Sequence, residues 1–97
     1  MSDLRFEWDP RKSRANRREH RVGFEEAQDV FLDDDALLIG DPDHSDEEHR
    51  FVLMGMSRAR VLVVCHCYRD DGDVIRIISA RKADREERRL YAGRRRK

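Results

Sequence analysis

The alternation of apolar and polar residues divides the first third of the chain into a short strand and two helices. Residues 6–8 alternate as a strand does, and the Asp9-Pro10 pair that follows is typical of a helix start. We expect a helix from Pro10 to about Arg21, ended by Gly23. Its only apolar interior residue is Ala15, so it can bury only a thin stripe.

A second helix and four strands follow from the next apolar positions. Phe24, Ala27 and Phe31 recur at helical spacing, which predicts a short helix that supplies core. Beyond it, short apolar runs bounded by Gly-, Asp- and Arg-containing turns predict strands. These runs are residues 36–39, 51–56, 61–68 and 74–80.

The strand over residues 61–68 is expected at the centre of the sheet. Its first half, Val61 to Cys65, is apolar on both alternating faces, so we expect the helices to cover one face, while the apolar character of the other face needs its own explanation. A helical pattern runs from Lys82 to Tyr91, and Gly93 lies past its end. We therefore expect one α+β domain over residues 1–97, with a short N-terminal strand, two helices, a four-stranded mainly antiparallel sheet and a C-terminal helix. Its ordered core should span about residues 5–92, before a basic tail disordered in isolation.

Charge is segregated along a chain whose formal net charge is zero. Residues 25–49 contain eleven acidic residues and no Lys or Arg, whereas the remainder is basic, with eighteen Arg and three Lys in the whole chain. Because arginine suits bidentate phosphate recognition, the pattern favours a nucleic-acid substrate and an internal or partner-facing acidic surface. The alternative is that these charge runs only solvate exposed faces.

The sequence favours a cytoplasmic protein without a membrane segment. No window offers the roughly 18 apolar residues of a membrane span, and the N-terminal residues lack the apolar stretch of a signal peptide. The two cysteines, Cys65 and Cys67, are then expected to be free thiols.

Polar residues interrupt the two most apolar strands, where an unpaired buried charge is costly. His66 and Arg76 could be cross-strand neighbours if both strands alternate regularly. Arg81 would then face the other way, and joins them only past the strand end or through a β-bulge. The alternative is an edge-exposed Arg76 and a His66 satisfied by backbone groups.

These residue types fit the cleavage of RNA by its own 2′-hydroxyl. That reaction needs a base, an acid and cations that stabilise the phosphorane. Arginines suit the last role, His66 has an ordinary pKa suited to acid or base work, and Glu87 and Tyr91 are further candidates. The requirement for a 2′-hydroxyl would confine the chemistry to RNA.

Two segments of the sequence are weak candidates for a metal site. In Cys65-His66-Cys67 an extended strand would place both cysteines on one face and the histidine on the other, so the three cannot close on one ion. The acidic loop over residues 41–49 lacks the calcium-loop pattern, and a solvated loop is the simpler interpretation.

Short motifs follow one another over residues 6–91. They are Phe6-Glu7-Trp8-Asp9-Pro10, then Lys12, Asn16 and His20, the run 22–27, the loop Asp41-Pro42-Asp43-His44-Ser45 with Glu48 and Arg50, and the run 76–81 with Glu87, Arg88 and Tyr91. In this order and spacing they resemble the BrnT family. The chain has His66-Cys67-Tyr68-Arg69 where the family often shows His-Thr-x-Arg, which leaves the role of that hydroxyl position open.

The resemblance implies a RelE-like fold and a ribonuclease toxin that halts translation. It also implies a BrnA-type antitoxin that binds operator DNA through a ribbon-helix-helix dimer. We expect no cofactor and cleavage without a metal, because the candidate groups are Arg, His, Tyr and a single nearby Glu rather than a carboxylate cluster. The active-surface candidates at matching positions, without individual roles, are His66, Arg76, Ser79, Arg81, Glu87 and Tyr91. Further RNA-binding candidates are Arg69, Arg85, Arg88 and Arg89.

Two other interpretations stay open from sequence. In the first, the arginine-rich face is a binding module that holds nucleic acid or an acidic protein without cleaving it. In the second, the chain is an inactive relic that acts in complex formation and operator control. In both interpretations RNA remains intact, so an RNA cleavage assay distinguishes them from a ribonuclease.

Overall fold

The computed structural model describes residues 4–39 and 49–95, and they form a mixed sheet with helices on both faces. The strands are β1 (Arg5–Glu7), β2 (Leu37–Ile39), β3 (Phe51–Met56), β4 (Val61–Arg69) and β5 (Val74–Lys82). The helices are α1 (Pro10–His20), α2 (Phe24–Ala27) and α3 (Arg85–Arg95), with 3₁₀ turns at Gln28–Leu32 and Asp70–Gly72. The acidic loop lies outside the described residues, apart from His49.

The sheet has five strands in the order β1-β5-β4-β3-β2. Neighbours are antiparallel except β1, which pairs with β5 in parallel, with Phe6 opposite Ile75 and Glu7 opposite Arg76. The expected α+β class and central β4 are confirmed, but the four-stranded sheet is wrong. The N-terminal strand is the fifth member because Phe6 packs against Phe31 at a centroid distance of 5.4 Å.

Each face of the sheet has its own core. The face under α2 contains Val22, Phe24, Ala27, Val30, Leu62, Val64, Ile77 and Ala80. The face under α3 contains Val52, Met54, Val63, Ala83 and Tyr91. The second cluster explains why β4 is apolar on both faces, since α3 covers the side that α2 leaves open.

A β-bulge in β5 decides which side chains face α3. Cys65 pairs with Ser79, but the next residue, His66, pairs with Ile77, so Ile78 is an extra residue in β5. The extra residue reverses the alternation between Ile77 and Ser79. Arg76 therefore lies on the same face as Ser79 and Arg81.

Helix α1 is attached through polar side chains. The expected apolar contact, Ala15, is exposed, and the buried residues are Ser13 and Asn16. The Asn16 Nδ2 group donates to the carbonyls of Val22 and Ala80, both at 2.8 Å, and its Oδ1 accepts from the Ala80 N–H at 3.1 Å. The amide thus satisfies β5 at Ala80, beyond the three residues that pair with β1.

The residue that caps the end of α1 and the form of α2 differ from expectation. Helix α1 ends at His20 with Arg21 in the left-handed region (φ 61°), and Gly23 is instead the N-cap of α2. The second helix is a single α-turn that continues as a 3₁₀ turn.

The last helix begins later and ends later than expected. It begins at Arg85 because β5 continues to Lys82, and Asp84 and Glu87 form a reciprocal capping box with bonds of 2.8 and 2.9 Å. It runs through Gly93 to Arg95, so Gly93 does not end it and the helix includes the first residues of the basic tail. Residues 96–97 lie outside the described part. Among the helices described, none is long and apolar enough to cross a membrane.

Candidate active site

Two arginine–glutamate pairs flank Ser79 on the face of β5 that looks toward α3. The first pair joins the edge strand β1 to its neighbour β5, where Arg76 Nη1 donates to Glu7 Oε2 at 2.7 Å. Arg69, at the end of β4, places its Nε 3.3 Å from the same Glu7 oxygen. One carboxylate therefore holds two guanidinium groups at this corner of the sheet.

The second pair joins β5 to the first turn of α3. Arg81 Nη1 and Nη2 donate to the two carboxylate oxygens of Glu87 at 2.8 and 2.9 Å. The hydrogen bonds from Arg81 hold the pKa of Glu87 below its ordinary value, and Glu87 in turn raises the pKa of Arg81. Both groups are thus charged at neutral pH, and the pair is rigid because Glu87 also belongs to the capping box.

Ser79 lies between the two pairs and is exposed. Across the strand it faces Cys65, while Arg76 faces Cys67, and both cysteines are half-buried and outside any disulfide. Arg76 and Arg81 are five residues apart, at most about 16 Å along an extended strand. Two cations at this spacing, with a hydroxyl between them, suit neighbouring phosphates of one polyanion.

Tyr91 is not on this open face. It is 3% exposed, and its hydroxyl donates to Asp33 Oδ2 at 2.5 Å. The same Asp33 oxygen accepts from the Met56 N–H at 2.7 Å. Tyr91 therefore anchors α3 to the end of β3.

The structure also separates His66 from Arg76, so their expected juxtaposition is wrong. His66 is fully buried on the opposite face and is surrounded by the rings of Phe31, Phe51 and Tyr68, at centroid distances of 4.7, 6.0 and 5.3 Å. The bulge causes the separation, because it pairs His66 with Ile77 and turns Arg76 away.

The buried histidine predicts a pH-dependent stability. Burial lowers the pKa of His66, opposed in part by the hydrogen bond to Val64 O. The unfolded chain then binds the proton more readily, so unfolding free energy is lost as pH falls below about 6.5. Chemical denaturation between pH 7.5 and 5 should show this loss, and His66→Gln should flatten it. An equally steep decline in His66→Gln would contradict the assignment.

The remaining arginine candidates extend the basic surface along α3. Arg85, Arg88 and Arg89 are exposed, and Arg88 Nη1 donates to the Ala83 carbonyl at 2.8 Å. Arg69 adjoins Arg76 through the shared Glu7 carboxylate, and the α3 arginines belong to the helix whose first turn contacts Arg81. Within residues 4–39 and 49–95, no three metal-ligating side chains come together.

Sequence reasoning missed Glu7 and Asp33. Glu7 belongs to the first motif and alternates away from Phe6, but its role follows only from the parallel β1–β5 pairing. Asp33 is one of three consecutive aspartates, and nothing in that run distinguishes it from the others.

Comparison with known proteins places the chain in a defined class. A family model described as the ribonuclease toxin BrnT of type II toxin–antitoxin systems matches residues 8–87. The chain therefore belongs to the BrnT family of ribonuclease toxins.

A solved structure agrees with this assignment at the level of fold. The ribonuclease toxin BrnT of Brucella abortus superposes with a TM-score of 0.66 at 16% sequence identity, covering 86% of this chain and all of that one. No curated protein matches the chain significantly.

Proposed function

We propose that this chain is a metal-independent endoribonuclease that cleaves RNA on the face formed by Arg76, Ser79, Arg81 and Glu87. The observation that carries the proposal is the bulge, which brings both arginines to one exposed face beside a fixed carboxylate. Inhibition of translation in the cytoplasm would follow from cleaving messenger or ribosomal RNA.

The site acts mainly through positive charge. A phosphate seated beside Arg81 gains negative charge in the phosphorane as the ribose 2′-hydroxyl attacks, and a fixed guanidinium stabilises that charge. Arg76 and Arg69 hold the adjoining phosphate and so align the strand. The products are a 2′,3′-cyclic phosphate and a 5′-hydroxyl.

Proton transfer has fewer candidates than the sequence indicated. His66 is enclosed and Tyr91 is engaged by Asp33, so neither faces a phosphate bound between the arginines. Glu87 is the carboxylate on this face, and its lowered pKa makes it a weak base. We infer that Glu87 chiefly orients Arg81 and that solvent takes part in both proton transfers.

The proposal predicts RNA cleavage in EDTA. The purified chain should cut a labelled RNA without added divalent metal and leave its fully 2′-O-methylated copy intact, because the methyl group removes the nucleophile. Activity abolished by EDTA and restored by Mg²⁺ would contradict metal independence. Binding without cleavage would favour the binding module or the inactive relic.

We further propose that a BrnA-like ribbon-helix-helix antitoxin covers this same face and binds operator DNA in the complex. An electropositive face attracts an acidic protein segment as well as RNA, and a segment that folds on binding can cover a small domain. Inhibition would then be competitive with RNA.

Charge reversal tests the shared face at fixed salt. Arg76→Glu, Arg81→Glu, Arg88→Glu and Arg89→Glu should each weaken antitoxin binding, because each places an acid opposite an acidic partner. The matched control is Arg14→Glu, on exposed α1, which should bind normally. Unchanged affinity in all four variants, with RNA still bound in the complex, would exclude a shared face.

A further inference from the structure

Helix α1 carries a set of unpaired cations. Arg11, Lys12, Arg14 and Arg18 are exposed, and none of the four has an ion-pair partner among the described residues. Arg17 lies 3.7 Å from Glu25, but both side chains are more than half exposed, so that pair is weak. The helix contains five Arg and Lys residues and one acid, Glu19, which lies 3.7 Å from His20. It thus presents an excess of positive charge.

This arrangement opposes the stability of the helix itself. Arg14 and Arg18 are four residues apart and Arg11 and Arg14 three, and like charges at these spacings repel. The first turn contains no acidic residue, while Arg11 and Lys12 lie near the positive end of the helix dipole. The N-cap carboxylate of Asp9 offsets part of this repulsion for Arg11 and Lys12, since both lower its pKa, but it does not lie beside Arg14 or Arg18.

An aromatic cleft adjoins these cations. It has a volume of about 180 Å³ and is lined by Trp8, Pro10, Ser13, Arg14, Arg17 and Glu25. Trp8 is half-buried and is held edge-on against Phe24 at a centroid distance of 6.1 Å. Because drug-sized ligands need roughly 300–1,000 Å³, this cleft suits a single flat ring beside a guanidinium.

We propose that α1 and the Trp8 cleft form a second nucleic-acid surface, which binds an unpaired strand without cutting it. Arg11, Arg14 and Arg18 lie on one side of α1 and span about 10.5 Å, so they can follow the phosphates of a strand. One base stacks in the cleft, as bases do on aromatic platforms. This surface is separate from the proposed cleavage site, because Arg76 and Arg81 are not part of it.

The exposed side of α1 favours a nucleic acid over an acidic protein. Protein interfaces depend on buried aromatic or aliphatic anchors, whereas the only apolar residue on the exposed helix after Pro10 is Ala15. Arginines interleaved with one accessible aromatic ring match the chemistry of phosphodiesters and bases.

The test uses a short 2′-O-methyl RNA, which cannot be cleaved by 2′-hydroxyl attack, so failure of the proposed ribonuclease activity does not affect it. Trp8 is the only tryptophan in the chain, and its fluorescence reports stacking directly. Binding is measured in parallel by the anisotropy of a label on the RNA. We expect saturable quenching of Trp8 with the same midpoint as the anisotropy change.

Three variants locate the phosphate contacts. Arg11→Gln/Arg14→Gln/Arg18→Gln should bind at least tenfold more weakly, with the salt slope of log K reduced by about 2, since each contact contributes about 0.7. The charge-preserving Arg11→Lys/Arg14→Lys/Arg18→Lys should retain most of the affinity, and both should melt no lower than wild type. Arg76→Gln/Arg81→Gln should leave the Trp8 quenching in place.

Several results would overturn the proposal. They are unchanged affinity and salt slope in the glutamine variant, no Trp8 response at saturation, or preferential binding of poly-glutamate at α1. Equal binding of single-stranded DNA would support it and identify the ligand as any unpaired strand. Binding of 2′-O-methyl RNA with exclusion of DNA would support it and identify RNA as the ligand.

Discussion

Replacing Arg81 by alanine should lower kcat/KM for RNA cleavage by about 10²–10³, the loss typical of removing one group that stabilises transition-state charge. Arg81 makes a bidentate contact to Glu87 on the exposed face, and its loss removes the guanidinium that this carboxylate fixes beside the proposed phosphate position. Arg76→Ala should lose activity in the same range, because it removes the other cation of the face. The measurement is initial cleavage rates at fixed salt, alongside thermal melts.

The matched control is Arg58→Ala. Arg58 also makes a bidentate contact, to Asp29 at 2.8 and 3.2 Å, but on the β3–β4 hairpin away from the site. The Arg58→Ala variant should cleave RNA at the wild-type rate. Glu87→Gln, which still accepts from Arg81, should lose much less activity than Arg81→Ala if Glu87 orients the arginine. Full activity in both Arg76→Ala and Arg81→Ala would place the site elsewhere.

Asn16→Ala should destabilise the protein by about 3 kcal/mol or more, since three buried backbone groups lose their partner at about 1–3 kcal/mol each. Those groups are the carbonyl of Val22 and both backbone groups of Ala80. For a small domain with about 5–15 kcal/mol of stability this is a large fraction. Urea unfolding at pH 7.5 measures the effect.

Two further variants serve as controls for this prediction. Arg18→Ala changes an exposed side chain of the same helix and should be near neutral. Asn16→Asp keeps an acceptor for the Ala80 N–H but loses both donors and buries a charge, so it should be at least as damaging as alanine. A loss below about 1 kcal/mol in Asn16→Ala would mean that solvent replaces the amide and that α1 is not fixed by it.

The sequence pattern was sufficient for the elements whose contacts are local or strongly apolar. The central position of β4 followed from its two apolar faces, and α1 was located by the Asp9-Pro10 start. The parallel pairing of β1 could not be predicted, because a three-residue strand has no periodicity that specifies its partner. The end of α1 was predicted to within one residue, but its stop was assigned to Gly23, because the left-handed conformation that Arg21 adopts at the helix end is unusual for a non-glycine residue.

The geometry of the site depends on the β-bulge in β5, which the amino-acid composition does not reveal. A single extra residue in β5 moves Arg76 to the face of Arg81 and away from His66, whereas regular alternation predicts the reverse. The proximity of Arg81 and Glu87 could be inferred from sequence, since both residues belong to one closing motif. The contact between Glu7 and Arg76 could not be inferred from sequence, because the two residues are 69 positions apart.

The most direct test of the account is the chemistry of the RNA ends produced in EDTA. Wild-type protein should yield upstream fragments that end in a 2′,3′-cyclic phosphate and downstream fragments with a 5′-hydroxyl. Arg76→Gln/Arg81→Gln, purified in parallel, should yield neither above background. Ends carrying a 3′-hydroxyl and a 5′-phosphate, or equal cleavage by the double variant, would contradict 2′-hydroxyl attack on the arginine-lined face.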